Sequence, residues 1–411
     1  MVAEIALSIG DVQLETTPAI RSLIAGLGRT EDLRFSPNGR RLAVAGYLLN
    51  QIVVLDIDIQ TSMTGKVIAV DGGVVISSPA LKRPHGLDFL DDETLIVANR
   101  GGGVPVFRVP GSTSDVMVCE MLPIRELVAD GVADLHGPGS VVVFRESGSC
   151  EVYICNNFSN TLTRHHLDVT AGYRHLRSEI LLHKWMDVPD GVAMSTDREW
   201  LAVSQAASGL VCVYPNSASL GTESDPSAML RQVYYPHGLV FSDCNRFLLV
   251  ADAGRPNIHV FKRPEIGWYG ALQPMMTAQV MGEAQFQRGH VHPDEGGPKG
   301  LDLHRGSGIV ALTCEYQTLA LFDVSEMLAR LGDAEFRSST EFVSIVSDVP
   351  AHDPLDVRSA RGRAAAEVAY ELHRLSRAKE AAEAGIEDIK RTRSWRITAP
   401  LRGLNQLFKR V

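Results

Sequence analysis

Aromatic residues are scarce in this 411-residue chain, at 6%, and no predominantly apolar run reaches the 18 residues of a membrane-spanning helix. The six cysteines, Cys119, Cys150, Cys155, Cys212, Cys244 and Cys314, include no Cys-x-x-C pair and fall mostly in apolar, strand-like runs. Buried reduced thiols are expected, rather than structural zinc. The first residues lack the basic and long apolar stretches of a secretory signal, so a cytoplasmic protein is expected. The motifs G-x-S-x-G, H-E-x-x-H and G-x-x-x-x-G-K-[ST] are missing, and Gly101-Gly102-Gly103 lacks dinucleotide-binding spacing. Serine-hydrolase, zincin and nucleotide-binding chemistry therefore have no support. A content of 45% hydrophobic residues excludes disorder, and 36 Gly with 20 Pro excludes a collagen-like or low-complexity chain.

The formal charge of -9 is unevenly spread. Residues 358–411 hold 13 Lys and Arg against 6 Asp and Glu, a net +7, whereas residues 1–357 hold 27 against 43, a net -16. An acidic body excludes nucleic acid as its partner. A basic tail is the expected interaction segment.

What the sequence does contain is a repeat. Six units open with a short turn: Thr30-Glu31-Asp32, Pro84-His85-Gly86, Pro138-Gly139-Ser140, Pro189-Asp190-Gly191, Pro236-His237-Gly238 and Pro298-Lys299-Gly300. Each turn leads into an apolar strand, a polar turn, a second strand, a Gly- or Asn-containing turn and a third strand. The middle residues are spaced by 54, 54, 51, 47 and 62 positions. Fourth, less regular apolar stretches occur at 116–122, 229–235, 275–281 and 342–346. Four antiparallel strands per unit of about 50 residues predict an all-β, six-bladed β-propeller. Seven blades is the alternative, because residues 5–15 are also strand-like; the preferred use of that segment is ring closure. The expected organisation is a closing segment over 1–30, a propeller over 31–350 and a basic α-helical tail over 351–411.

The innermost strand of each blade lies nearest the axis, so the six opening residues converge: Glu31, His85, Gly139, Asp190, His237 and Lys299. Five are ionisable, which turn chemistry does not require. Glu31, His85, Asp190 and His237 are candidate ligands for a divalent cation, calcium, magnesium, manganese or zinc. Lys299 is expected to pair with an acid or with an anionic ligand group. A second ring at the ends of the second strands, near Gly46, Asn99, Arg100, Asn156, Asn157, Gln205, Asp252 and Glu315, offers groups suited to a hydroxyl-rich ligand. The loop Gln287-Arg288-Gly289-His290-Val291-His292-Pro293-Asp294-Glu295-Gly296-Gly297 explains the longest spacing and is a candidate lid or ligand source.

The opening turns resemble those of six-bladed propellers of the regucalcin/gluconolactonase and NHL-repeat type over roughly residues 30–350. The resemblance implies a pore-bound divalent cation, with Glu31 and Asp190 matching its ligands. His85 and His237 depart from the oxygen ligands it would supply. Metal-dependent lactone hydrolysis, with Asp190, His85 or His237 as general base, is the enzymatic alternative. A protein-interaction scaffold is a third. At the other end, Ser394-Trp395-Arg396-Ile397-Thr398-Ala399-Pro400-Leu401-Arg402 resembles a segment near the C-termini of bacterial glycosyltransferases of surface-polysaccharide assembly. With Ile397, Leu401, Leu404, Phe408 and Val411 at spacings of 4-3-4-3, it predicts a basic amphipathic helix suited to a membrane surface or an acidic partner. The leading expectation is a bacterial propeller binding a small sugar-like ligand, cytoplasmic or peripheral at the inner membrane face.

Overall fold

The structure, a computed structural model, describes residues 9–333 apart from 63–64, 113–114, 128–129, 291 and 293. The tail over 351–411 and the strand-like stretch 342–346 lie outside the described residues.

Six blades surround one axis. Their innermost strands are Thr30–Phe35, Pro84–Asp91, Pro138–Arg145, Pro189–Met194, Pro236–Phe241 and Pro298–His304, and each pairs antiparallel with the next strand of its blade. These inner strands are buried on both faces, which is why they read as near-continuous apolar runs. Outer strands such as Arg174–Leu182 are more exposed. The burial has one cause: six apolar clusters fill the six gaps between neighbouring blades. Ile96, Val104 and Leu127 of blade 2 pack on Val141 and Val152 of blade 3, for example, and Val213 of blade 4 packs on Leu239 and Val250 of blade 5. A single blade could not bury both faces, so the array stands as a unit.

Two sequence features lock the inner strands together. Every opening turn carries a bulge-like register shift just after its first residue. Such bulges re-aim side chains, here toward the axis. In four of the six turns a glycine follows the opening residue, and close approach requires it. A Cβ on Gly86 would lie 2.6 Å from the Gly139 carbonyl oxygen, and one on Gly238 would lie 2.5 Å from that of Lys299. The backbone of the next blade occupies that space.

The second device is a carboxylate bridge. Asp302 Oδ2 accepts the Phe35 amide at 2.8 Å, Asp32 Oδ2 that of Leu87 at 3.3 Å, and Asp88 Oδ2 that of Val143 at 2.6 Å. Each aspartate thus satisfies an N–H on the inner edge of the following blade, which otherwise has no strand to pair with.

The strand Gly10–Thr16 completes blade 6. Its start pairs antiparallel with Ala320–Asp323, and residues 12–16 then run parallel to Gly65–Ser77 of blade 1. The segment therefore joins the last blade to the first. Next comes helix α1 (Pro18–Gly26), capped by Thr17 and seated through the fully buried Ile20 in the blade 6/blade 1 cluster. Helix α2 (Glu283–Gly289) leads into blade 6, and α3 (Ser325–Asp333) buries Met327 and Leu331 between blades 5 and 6.

One expected strand belongs elsewhere. The stretch 116–122 is not the fourth strand of blade 2: Asp115–Glu120 lies parallel on Gly65–Ser77 of blade 1, and Arg125–Leu127 takes the fourth position. Gly270–Leu272 likewise crosses from the blade 5 connection onto Ala228–Leu230 of blade 4. Both additions cover strand edges that would otherwise be open.

Candidate functional site

The inward bulges bring Glu31, His85, Asp190, His237 and Lys299 into one buried cluster at one mouth of the pore. Glu31 and Lys299 are both 0% exposed. The two oxygens of Glu31 have different surroundings. Oε1 accepts from the Arg29 guanidinium and from Lys299 Nζ at 3.3 Å. Oε2 lies 3.7 Å from Nε2 of both His85 and His237, and 3.2 Å from Lys299 Nζ without hydrogen-bond alignment. It is a buried carboxylate oxygen with no hydrogen bond.

His85 is fixed in one tautomer. Its Nδ1 lies 2.8 Å from the Gly139 carbonyl oxygen, to which it can only donate, so Nε2 carries the lone pair and accepts from Arg100 at 2.8 Å. The His85 and His237 rings stack with centroids 5.4 Å apart. His237 Nε2 is 3.2 Å from Asp190 Oδ2, while Asp190 Oδ1 accepts from Asn157 at 2.9 Å and faces Arg100 at 3.5 Å.

Gly139 is the one opening residue without a functional side chain, and its position explains why. A Cβ there would collide with Asn157 Oδ1 and reach within 3.1 Å of Asp190 Oδ1. Asn157 therefore fills the gap from the second ring. Its Oδ1 is a second buried acceptor with no partner.

On the far side of Glu31, Lys299 is held by three acids. Glu295 lies at 2.7 Å, and Glu31 and Glu315 at 3.2 Å each. Arg29 reaches Glu315 at 3.3 Å and Glu295 at 3.7 Å. Burial alone would raise the Glu31 pKa, but Lys299 and then Arg29 hold it well below the carboxylate range. For Glu295 the same contest, won by Lys299, leaves about 2. Burial lowers Lys299, yet Glu295 and Glu31 outweigh it and raise its pKa. Burial and then Arg100 push His85 down to about 3, so its imidazole is neutral at pH 7.

The structure separates the expected site residues into two groups. Glu31, His85, Asp190, His237, Lys299, Arg100 and Glu315 converge. Asn99, Asn156 and Asp252 of the expected second ring instead turn to backbone. Asn99 Oδ1 accepts from the Lys82 amide, Asn156 Oδ1 from the His136 amide, and Asp252 from the amides of Tyr234, Tyr235 and Gly254. Gln205 Oε1 does the same for Asp187. These residues brace the loop preceding their own blade, 17 to 20 positions back. Their side-chain oxygens are engaged in this bracing. Asn157, expected in the second ring beside Asn156, does reach the cluster. Arg29 was not among the expected site residues, and its only sequence signal was its place two residues before Glu31.

Around one ion at about 2.1 Å, donor atoms lie within roughly 4.3 Å of each other. Glu31 Oε2 and the two imidazole nitrogens, mutually within 4.8 Å, approach that spacing, and the 3.7 Å separations meet it. Two nitrogen donors and a carboxylate suit zinc, manganese or another first-row metal better than calcium or magnesium, which prefer all-oxygen sets. The hydrogen bond from His85 Nδ1 to Gly139 supplies the outer-sphere support that orients a ligating imidazole.

No family model matches the chain, and no curated protein matches it. Among solved structures, the chain is similar to the β-propeller domain of Cps50 (Swd1) from Myceliophteria thermophila, at 11% identity over 72% of this chain and 97% of that one, TM-score 0.42. It is also similar to a protein assigned as a 6-phosphogluconolactonase from Bacteroides uniformis, at 13% identity over 60% and 70% of the two chains, TM-score 0.42. Neither likeness transfers a function.

Proposed function

We propose that the protein is a small-ligand-binding propeller whose pore mouth holds one first-row divalent metal through Glu31, His85 and His237, with Asp190 beside them. One observation supports this above the rest: a fully buried carboxylate oxygen, Glu31 Oε2, is left without a hydrogen bond while facing two imidazole nitrogens. Oε2 is ion-paired with the Lys299 ammonium at 3.2 Å but accepts no hydrogen bond, and a buried acceptor left so costs about 1–3 kcal/mol, which leaves a lone pair for a further partner. Lys299 retains Oε1, Glu295 and Glu315 when Oε2 turns to a metal.

A bound ion would polarise a ligand carbonyl or acidify a water molecule. The chain's own contribution would be to position the ligand and to hold a proton. Asn157 Oδ1 supplies a free acceptor suited to a ligand hydroxyl, which favours a sugar-like molecule. The His237–Asp190 pair at 3.2 Å favours hydrolysis as the second reading, with lactone turnover as its assay. Recruitment to surface-polysaccharide assembly rests on the tail sequence, outside the described residues.

Calorimetric titration of chelator-treated protein with zinc and with manganese tests the metal site. Wild-type protein should bind one ion per chain, and Glu31→Gln should lose at least about a hundredfold in affinity, the scale of one metal–carboxylate contact. Equal binding by both proteins would place the metal elsewhere.

A further inference from the structure

We infer that Arg100 is a built-in competitor for the metal: its guanidinium latches the empty site by occupying the His85 lone pair, and loading requires it to swing out. The inference rests on the proposed metal site and deepens it.

Three observations converge on Arg100. First, His85 can ligate only through Nε2, because Nδ1 donates to the Gly139 carbonyl. That single lone pair is taken by the Arg100 guanidinium at 2.8 Å. A metal and a guanidinium cannot share it, since each needs the same electrons. Second, the same guanidinium nitrogen faces Asp190 Oδ1 at 3.5 Å, so one side chain bridges two of the groups that surround the ion. Third, charge balance favours exchange over coexistence. Glu31, Asp190, Glu295 and Glu315 are four carboxylates faced by three cations, Arg29, Arg100 and Lys299, while His85 donates through Nδ1 and accepts through Nε2 and so carries no charge. One negative charge is left over. Replacing Arg100 by a divalent ion brings the cluster to neutrality, whereas adding the ion beside Arg100 leaves a buried positive excess.

Arg100 is also the cation able to leave. Lys299 is sealed behind Glu31, Glu295 and Glu315, and Arg29 is pinned to Glu31 and Glu315. Arg100 sits in the turn after Thr94–Asn99, and while bonded to His85 its guanidinium already lies 5.7 Å from the centroid of the exposed Phe158 ring, an aromatic face toward which it can shift. Its backbone amide is anchored to the Arg83 carbonyl, so the side chain moves without the strand.

The test is zinc and manganese titration of the full chain in four forms: wild type, Arg100→Gln, Arg100→Lys and Arg255→Gln. Arg255 stands on another turn of the same face, over Tyr234, and its substitution removes one positive charge without touching His85 or Asp190. A charge-assisted hydrogen bond released by Arg100→Gln corresponds to affinity tighter by about 10- to 100-fold. Arg100→Lys should fall between, keeping the charge but losing the reach, and Arg255→Gln should stay within about twofold of wild type. Unfolding midpoints in the metal-free state establish that each variant is folded. Binding by wild type with no tightening in Arg100→Gln overturns the latch and leaves the metal site standing. Equal tightening in Arg255→Gln reduces the effect to net charge and also overturns it. Absence of binding in every form overturns the metal site and the latch together. Binding by Arg100→Gln alone shows a latch strong enough to exclude metal from the wild type.

Discussion

Lys299→Met is expected to lower folding stability by about 3–5 kcal/mol, the usual cost of removing one partner from a buried ion pair. The side chain is fully buried and is the common cation of Glu31, Glu295 and Glu315. Methionine fills the space but leaves three carboxylates to Arg29 alone. Urea unfolding at pH 7 measures the loss. Adding Glu295→Gln to the variant should restore part of it, because one of the stranded charges is then gone. Stability indistinguishable from wild type would show that the network is not coupled as the distances imply.

The same network fixes the sign of the pH response. Lys299 holds Glu295 at about 2, below its ordinary 4.5, and holds Glu31 low as well. Carboxylates depressed by folding stabilise the native state fully above their unfolded pKa and lose that contribution as pH falls through the folded value. Wild-type stability should thus decline between about pH 4.5 and 2. Without Lys299 that depression is relieved, so the gap between Lys299→Met and wild type should narrow over the same interval.

Deleting residues 1–16 is expected to open the ring. The strand Gly10–Thr16 is bonded both to Ala320–Asp323 and to Gly65–Ser77, so its removal severs blade 6 from blade 1 at their outer strands. Val12 and Leu14 pack against the cluster between those blades. At partial burial they contribute about 2–4 kcal/mol together. The exposed edge of Ala320–Asp323 adds a site for pairing between chains. A lowered urea midpoint, with self-association by light scattering, is the predicted outcome; a monomer with an unchanged midpoint would mean that closure does not depend on this strand.

The architecture was legible because it repeats. Six turns at similar spacing gave six blades, and the innermost position of each turn pointed Glu31, His85, Asp190, His237 and Lys299 at one another. Three things were hidden. The glycine at 139 read as turn chemistry, and only the packing shows that Asn157 of the same blade must occupy its place. The aspartates Asp32, Asp88 and Asp302 bridge to the following blade, a relation set by blade stacking and invisible in any single repeat. Asn99, Asn156 and Asp252 had the right chemistry for ligands, but the same amide and carboxylate groups equally suit a loop brace. Residue type could not decide between the two roles. The stretch 116–122 misled for a related reason: its apolar pattern identifies a strand but not the blade whose edge it covers.

Anomalous diffraction at a metal absorption edge, from crystals grown with zinc or manganese, tests the metal site most directly. A single peak is expected, bounded by Glu31 Oε2 and the Nε2 atoms of His85 and His237, with the Arg100 guanidinium displaced from His85. A pore mouth without a peak, with Arg100 still bonded to His85 at saturating metal, would contradict it.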